Sequence, residues 1–305
     1  MIRSIDDYLS QLKKELHGCD RATIQDALSD AEEHLRTALA SATAQDATVS
    51  EADALFQVIE SYGMPEEVAT AYREIEHRIK PALAEPGYAE EPEEVHRERD
   101  ERSLLARFFG VFADFRAWGA FLYLLFSLLT GIFYFTWAVT GLSLSAGLLV
   151  LIVGLPFTGL FILSVWGIGL VEGRIVEALL GVRMPRRPQF HRRNTGLWPR
   201  FKGIILDGHT WLSLVYMILQ LPLGITYFTV FVTLIAVSVF GIAAPILQLG
   251  FDIPIDINGG PYFFAGWMLP LLVVGGILLA TLTMHLAKYV GRMHGALAKA
   301  LLVRR

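Results

Sequence analysis

The chain has 305 residues, 53% of them apolar, and a formal net charge of −4 that conceals two differently charged parts. Residues 1–102 carry 11 Lys and Arg against 24 Asp and Glu, a balance of −13, whereas residues 103–305 carry 15 against 6, a balance of +9. The acidic part repels phosphate, which excludes direct nucleic-acid binding by it. The single cysteine, Cys19, excludes an internal disulfide, and the first residues lack the apolar stretch of a signal peptide. We therefore expect the amino terminus to stay in the cytosol.

Four amphipathic patterns predict that residues 1–80 form a small domain of four helices. Apolar side chains recur at helical spacing in residues 5–16, 24–39, 55–62 and 68–79. Asp20 and Ser50 belong to the residue types that cap helix N-termini, and each stands just ahead of one of these patterns. Gly63 suits a helix C-terminus and Pro65 the first position of the next helix. We therefore predict a sharp corner between the third and fourth helices.

This first domain resembles a known family. Tyr62-Gly63-Met64-Pro65-Glu66-Glu67-Val68-Ala69, with Tyr8-Leu9, Leu12, Leu16 and Glu33-His34, looks like the HAAS-type helical signalling domain. The resemblance implies a bacterial cytosolic module that is fused to membrane segments and commonly found beside PadR-type transcription regulators. It makes such a regulator the expected protein partner, with Gly63 and Pro65 as candidate contacts at the corner.

Residues 81–103 are predicted to be an acidic linker. Pro81, Pro86 and Pro92 interrupt a run of glutamates, and this composition cannot bury enough apolar surface to form a core. We expect the segment to tether the helical domain to the membrane part.

The chain after residue 103 is predicted to cross a membrane four times. Residues 117–171, 208–251 and 257–287 contain no Asp, Glu, Lys or Arg. A spanning helix needs about 20 apolar residues. We therefore place spans near residues 118–140, 148–170, 211–238 and 263–286, with a turn at 141–147 and helix ends at Glu172–Arg174 and Gly291–Arg292.

A gap-free internal match predicts that the membrane part, residues 104–305, is duplicated. Residues 107–145 and 200–238 share 15 of 39 residues, among them Arg, Asp, Trp and Tyr, which common hydrophobicity would not align. Basic residues concentrate in 174–202 and 288–305 and are absent from the other two loops, so both termini and the central loop are expected in the cytoplasm. The predicted fold class is all-α: an integral membrane protein with four transmembrane helices in two parallel repeats, preceded by a small cytosolic helical domain.

The membrane part also resembles a known family. Thr140-Gly141-Leu142-Ser143-Leu144, Gly154-Leu155-Pro156 and Val171-Glu172-Gly173-Arg174, followed by Leu179-Leu180-Gly181, look like the putative sensor domain of bacterial membrane proteins. The resemblance covers nearly all of residues 104–305 and implies a sensor whose ligand the fold does not specify. Glu172 and Arg174 stand where the family has an adjacent Glu-Arg pair, and both are candidate contacts.

Two loops contain further candidate contacts. Arg186 and Arg187 lie in the basic central loop, which suits contact with anionic lipid or docking of the acidic helical domain. Asp252 and Asp256, with Asn258, lie in the outer loop. There they could ligate a cation, form an ordinary polar turn or contact another envelope ligand.

The sequence contains no ATP-binding loop, kinase signature, nucleophile elbow or zinc-binding pattern, so we expect no enzyme, no cofactor and no metal site. The expected function is that of a bacterial inner-membrane sensor that couples envelope or bilayer state to a cytosolic partner such as a transcription regulator. The alternative is an accessory or core subunit of a transporter, which the lack of charged groups in the middle of the predicted spans disfavours. A purely structural membrane-organising role and a homo-oligomeric state also stay open.

Overall fold

The computed structural model describes residues 2, 4–45, 50–78, 104–148, 154–186, 207–257 and 260–303. Almost all of these residues are helical, which confirms the predicted all-α class. The chain divides into two compact units, the first made of residues 1–85, 138–216 and 296–305 and the second of residues 86–137 and 217–295. The predicted linker, 81–103, lies outside the described residues.

Four helices form the helical domain of the first unit: α1 Ile5–Glu15, α2 Arg21–Gln45, α3 Glu51–Tyr62 and α4 Pro65–Arg78. Their apolar stripes meet in one core, in which Tyr8 and Leu35 have no exposed surface. Both predicted caps are confirmed. The side chains of Asp20 and Ser50 each accept a backbone hydrogen bond from the first turn of the following helix, at 2.8 and 3.2 Å.

The corner between α3 and α4 has the predicted geometry. Gly63 ends α3 with a φ of +111°, in the left-handed region that favours glycine, and Pro65 begins α4. The backbone N–H of Gly63 donates to the carbonyl oxygen of Ile59 at 2.9 Å, and the Tyr8 hydroxyl donates to the carbonyl oxygen of Gly63 at 2.8 Å. Burial raises the pKa of the Tyr8 hydroxyl, so it remains a donor at neutral pH.

The membrane part begins with a short helix, α5 Leu104–Phe109, and a 3-10 turn, Gly110–Ala113. Four long apolar helices follow: α6 Phe115–Leu148, α7 Gly154–Leu180, α8 Gly208–Pro245 and α9 Met268–Leu302. A π-helical turn, Ile246–Gly250, extends α8. Each long helix has the length and apolar composition needed to cross a membrane. The four predicted candidate spans are thus confirmed by these helices.

Three predicted helix ends are wrong. Residues 141–147 continue α6, because glycines without a proline need not interrupt a helix whose backbone hydrogen bonds are all made internally. Glu172 and Arg174 lie inside α7, which ends just before Gly181, a residue with a φ of +69°. Gly291 likewise lies inside α9. The helix α7 thus continues past Glu172 and Arg174 and ends at a glycine with a left-handed backbone conformation.

Glycines bring α6 and α8 into backbone contact within the second unit. A Cβ atom added to Gly131 would lie 2.6 Å from the carbonyl oxygen of Gln220, and one added to Gly224 would meet the carbonyl oxygen of Ser127 even more closely. In the internal alignment Gly131 matches Gly224 and Ser127 matches Gln220, so the two helices present matched positions to each other. Small residues at such a crossing are typical of helix packing in membranes.

The contacts between α6 and α8 run in opposite directions along the two helices. The rings of Phe121 and Phe231 lie 6.2 Å apart, while Gly131 faces Gln220, so residue numbers rise along α6 as they fall along α8. The distribution of basic residues predicts instead that both helices enter the membrane from one side. Most of the central basic loop, residues 187–206, lies outside the described residues, and the parallel relation of the repeats stays a prediction.

The outer loop of the second unit contains a short antiparallel hairpin, in which β1 Ile255–Ile257 pairs with β2 Gly260–Tyr262. A glutamine side chain closes the loop at its base. The amide nitrogen of Gln248 donates to the carbonyl oxygen of Phe264 at 2.7 Å, and its amide oxygen accepts from the backbone N–H of Phe264 at 2.8 Å. One side chain therefore satisfies both backbone groups of Phe264.

Candidate functional site

Asp26 of α2 and Asp20, which caps this helix, bind groups at or beyond the ends of two long apolar helices, all within the first unit. The side chain of Asp26 accepts a hydrogen bond from the backbone N–H of Arg186 at 2.6 Å, just after α7. Asp20 pairs with the ammonium group of Lys299 near the end of α9. We call these four residues, Asp20, Asp26, Arg186 and Lys299, the junction. It holds the start of α2 against the ends of two long helices.

The carboxylate of Glu177 joins two arginines at the junction. It accepts from Arg174 at 2.9 Å and from Arg186 at 3.1 Å, and Arg174 also donates to the carbonyl oxygen of Arg186 at 3.3 Å. The side chain of Glu177 is 8% exposed, whereas those of Arg174 and Arg186 are 46% and 39% exposed. Each guanidinium group has five N–H donors. Both arginines therefore keep donors on their exposed side.

A buried carboxylate links α7 to α8. The hydroxyl of Tyr216 donates to Glu172 at 2.7 Å, and both residues are 1% exposed. Closer to the start of α8, the indole N–H of Trp166 donates to the hydroxyl of Thr210 at 3.1 Å. Removing the partner of a buried carboxylate is costly, so the bond from Tyr216 fixes the packing of these two helices.

A mostly apolar groove adjoins the junction. One face of α7 forms its floor through Trp166, Gly169 and Gly173. The walls come from α8, the chain after α7, the end of α9 and α2, and they include His209, Ser213, Met184, Pro185, Leu302 and Gln25. The groove thus combines residues of the long apolar helices with a residue of the helical domain.

The single thiol of the chain lies next to the junction, because Cys19 directly precedes Asp20. Burial raises the pKa of the Cys19 thiol, and the carboxylate of Glu76 raises it further against an opposing effect of Arg73. The thiol is therefore a weaker nucleophile at neutral pH than an exposed cysteine. Cys19 is also the single cysteine of the sequence, so thiol labelling reports on the surroundings of Cys19 alone.

The second unit contains a separate buried polar cluster. The Tyr123 hydroxyl lies 2.7 Å from Nε2 of His294, and the Tyr227 hydroxyl lies 3.4 Å from Nδ1 of the same ring. The amide nitrogen of Gln220 lies 3.4 Å from the Tyr123 hydroxyl and 3.5 Å from the Thr130 hydroxyl. Buried polar groups are costly unless they are hydrogen-bonded. The cluster therefore specifies how α6, α8 and α9 pack against one another.

The segment ahead of α6 is held against α9, also within the second unit. His285 Nε2 donates to the carbonyl oxygen of Phe108 at 2.9 Å, and Lys288 pairs with Asp114 at 2.6 Å. Burial alone would raise the pKa of Asp114, but the hydrogen bonds from Lys288 and from the backbone N–H of Arg116 outweigh it and lower the pKa. Asp114 is thus ionised at neutral pH and can hold Lys288.

Comparison with protein families agrees with both sequence resemblances. The family model described as Putative sensor matches residues 123–302, which is more than half of the chain. The chain belongs to the Putative sensor family. A second model, described as HAAS, matches residues 7–71, ahead of the sensor domain. Comparisons with curated proteins and with solved structures gave no match.

The sensor domain brings some of the predicted contact residues together. Arg174 and Arg186 meet on Glu177, whereas Glu172 binds Tyr216 on α8. Glu172 and Arg174 therefore take part in different contacts, although they are two residues apart. The hypothesis that the basic central loop docks the acidic helical domain has a counterpart in the bond from Arg186 to that domain.

The remaining predicted residues are not among the four residues of the junction. Gly63 and Pro65 form the corner of the helical domain, and Arg187 lies outside the described residues. Asp252 is exposed with a φ of +53°, and Asp256 belongs to β1 opposite Pro261. Among the described residues, no group of three His, Cys, Asp or Glu is placed to hold a metal ion.

Several contact residues of the sensor domain were not predicted from the sequence. Tyr123 and Tyr216 occupy matched positions in the internal alignment, and each hydroxyl contacts a polar side chain on another helix. Matched tyrosines in otherwise apolar spans were the available signal. Their partners, His294 and Glu172, stand at unmatched positions, so the alignment did not point to them. Glu177 was hidden because a single glutamate near a span end resembles an ordinary exposed charge.

Proposed function

We propose that the protein is a non-enzymatic signal-transduction protein of the bacterial inner membrane, in which the sensor domain passes envelope or bilayer state to the HAAS-type domain. The supporting observation is the junction, where Asp20 and Asp26 bind groups at the ends of α9 and α7. The HAAS-type domain would in turn hold or release a cytosolic protein partner, for which a PadR-type transcription regulator is the candidate.

The junction is suited to transmit a displacement because its contacts are directional and involve charge. A hydrogen bond between the Arg186 N–H and the Asp26 carboxylate weakens steeply when the donor moves or rotates. The bond between Lys299 and Asp20 adds a second point of attachment on the same helix, α2. A shift of α7 or α9 along its axis would therefore either move α2 or break these bonds.

Affinity capture of crosslinked complexes from native membranes tests this proposal. The corner variant Gly63→Val with Pro65→Ala distorts the helical domain, because valine at a φ of +111° is strained. The junction variant Asp20→Asn with Asp26→Asn leaves the corner intact. Glu74→Gln removes one charge from an exposed position of α4 and is the matched control.

We expect a transcription regulator to be captured with the intact protein and with the Glu74→Gln control, and to be lost with the corner variant. The junction variant should capture an amount that no longer responds to changes in the membrane. Recovery of transporter subunits alone, or of no cytosolic partner, would contradict the proposed function.

We also propose that both termini are cytoplasmic and that the sensor domain arose by duplication, with α6 and α8 entering from the same side, against the opposed direction of their contacts in the structure. The basic loops and the internal match support this arrangement. Cysteines introduced at Gly147 and at Asp252, one at a time in a Cys19→Ser background, would then both react with a membrane-impermeant maleimide from outside. Labelling from opposite sides would refute same-side entry and would favour antiparallel helices.

A further inference from the structure

We propose that the groove beside the junction binds one anionic phospholipid of the surrounding membrane. One acyl chain would lie along α7, and the phosphate would contact Arg174 and Arg186. This inference deepens the proposed function, on which its signalling role rests, because it names the ligand class that acts on the junction. Lipid binding itself can be measured without any protein partner.

The floor of the groove has the shape and the chemistry to take a single chain. Trp166, Gly169, Leu170 and Gly173 recur at helical spacing and lie along one side of α7. Gly169 leaves room on this side, since a Cβ atom added there would have only the side chain of Leu302 within 4 Å, at 3.8 Å, whereas Gly173 packs against Met184. On this proposal the acyl chain comes from the surrounding bilayer, because α7 is long and apolar enough to span a membrane.

Selectivity has to come from the headgroup. An acyl chain in a bilayer is already in an apolar surrounding, so moving it into the groove gains packing contacts but little hydrophobic transfer free energy. Arg174 follows Gly173 and Arg186 follows Pro185, and both glycine and proline line the groove. Their guanidinium groups share a single carboxylate, Glu177, and can bind a phosphate with two parallel hydrogen bonds.

A phosphate at this position would act on the junction directly. It would bind the exposed donors of Arg174 and Arg186 and draw both guanidinium groups away from Glu177. Arg186 also donates its backbone N–H to Asp26, so a displaced Arg186 would strain or release the first attachment of the helical domain. The local content of anionic lipid would thereby set how firmly α2 is held.

Photolabelling of the full chain in phosphatidylcholine nanodiscs tests the site. The probes are phosphatidylglycerol and phosphatidylcholine, each with a diazirine in one acyl chain and each added in trace amount, and adducts are mapped by peptide mass spectrometry. Gly169→Leu fills the groove. Gly167→Leu is the matched control, because it adds the same side chain to α7 at an exposed position where a Cβ atom would meet nothing within 4 Å.

We expect adducts of phosphatidylglycerol on the α7 peptide that contains Trp166 to exceed those of phosphatidylcholine by about fivefold to tenfold, or about 1 to 1.4 kcal/mol. Both lipids carry the phosphate, but the choline group of phosphatidylcholine adds a positive charge that the two arginines repel. Gly169→Leu should abolish this excess, and Gly167→Leu should retain it. Gly169→Val provides a smaller filling if the leucine prevents folding. Arg174→Gln with Arg186→Gln should leave chain labelling in place but remove the preference for phosphatidylglycerol.

Equal labelling by the two probes in the intact protein would overturn the proposal, as would an excess that survives in Gly169→Leu. Neither result would bear on partner capture through the HAAS-type domain. Conversely, specific lipid labelling together with a failure to capture any regulator would retain the site and reject the proposed function.

Discussion

Replacing Gly131 by alanine should destabilise the second unit, although alanine is the better helix former. The added Cβ atom would lie 2.6 Å from the backbone carbonyl oxygen of Gln220, which cannot rotate away. Restoring a contact distance of about 3.5 Å requires α6 and α8 to separate by about 1 Å. Overpacking of this kind costs about 1 to 3 kcal/mol. The separation would also break the contact between Gln220 and Thr130, which is already 3.5 Å long and is worth about 0.6 kcal/mol in a membrane protein.

Gly147→Ala is the matched control for this substitution. Gly147 lies on the same helix, is exposed, and a Cβ atom there would meet nothing within 4 Å. Its replacement should be neutral or stabilising by up to about 1 kcal/mol, the difference in helix propensity. Unfolding of the purified protein by SDS in mixed micelles, followed by circular dichroism, measures both variants. If Gly131→Ala and Gly147→Ala unfold with free energies within about 0.5 kcal/mol, the reasoning from the close helix contact is refuted.

Three further predictions concern the Cys19 thiol, the pair formed by Asp114 and Lys288, and the base of the outer loop. Glu76→Gln should lower the pKa of the Cys19 thiol, because it removes a negative charge that raises this pKa. Alkylation of Cys19 by iodoacetamide at pH 8 should therefore be faster, and an unchanged rate would contradict the prediction. Asp114 has a pKa below its ordinary 3.8, so its bond to Lys288 stabilises the fold above that pH and loses this effect as the pH falls through the folded-state pKa. Asp114→Asn should accordingly lower the thermal stability at pH 7, and this loss should shrink as the pH falls below 3.8; a loss that does not change with pH would count against the pairing. Gln248→Leu should speed amide hydrogen exchange at the base of the outer loop by about tenfold or more, and unaltered exchange would show that the side chain does not close it.

Local features of the helical domain were predictable because their causes are local. The caps at Asp20 and Ser50 and the corner at Gly63 depend on residues that are neighbours in sequence. Each of these residue types is selected for its backbone conformation or for a hydrogen bond within one turn. The sequence therefore contains both partners of every such contact within a few residues.

Helix ends in the membrane part were harder to predict, because the signals used for soluble helices change meaning there. In water, Gly141 and its neighbours would favour a turn, but in an apolar surrounding an interrupted helix leaves backbone groups without partners. The helix therefore continues until a stronger signal occurs. For α7 that signal is Gly181 in a left-handed conformation, and for the start of the same helix it is Pro156 within the first turn.

Contacts of the candidate site depend on residues that are far apart in sequence. Complementary charge indicated that the basic central loop could meet the acidic domain, but it could not choose Asp26 among the many carboxylates of that domain. It also gave no reason to connect Lys299 with Asp20, which lie at opposite ends of the chain. Such choices depend on which side chains the folded helices bring within hydrogen-bond distance.

The matched tyrosines of the internal alignment make two different contacts. Tyr123 contacts a histidine in the second unit, whereas Tyr216 donates to the carboxylate of Glu172 in the first unit. The framework positions, including Gly131 and Gly224, serve the same packing role in both halves, so a substitution at either one is constrained in the same way. The tyrosine partners are not matched and are free to diverge. Within a sensor this asymmetry has a mechanistic consequence, because the half that carries Glu172 also carries Arg186, which contacts the HAAS-type domain, and Arg174, which shares Glu177 with it. A disturbance that loosens the tyrosine bond to Glu172 therefore acts on the same helix, α7, whose end holds the junction.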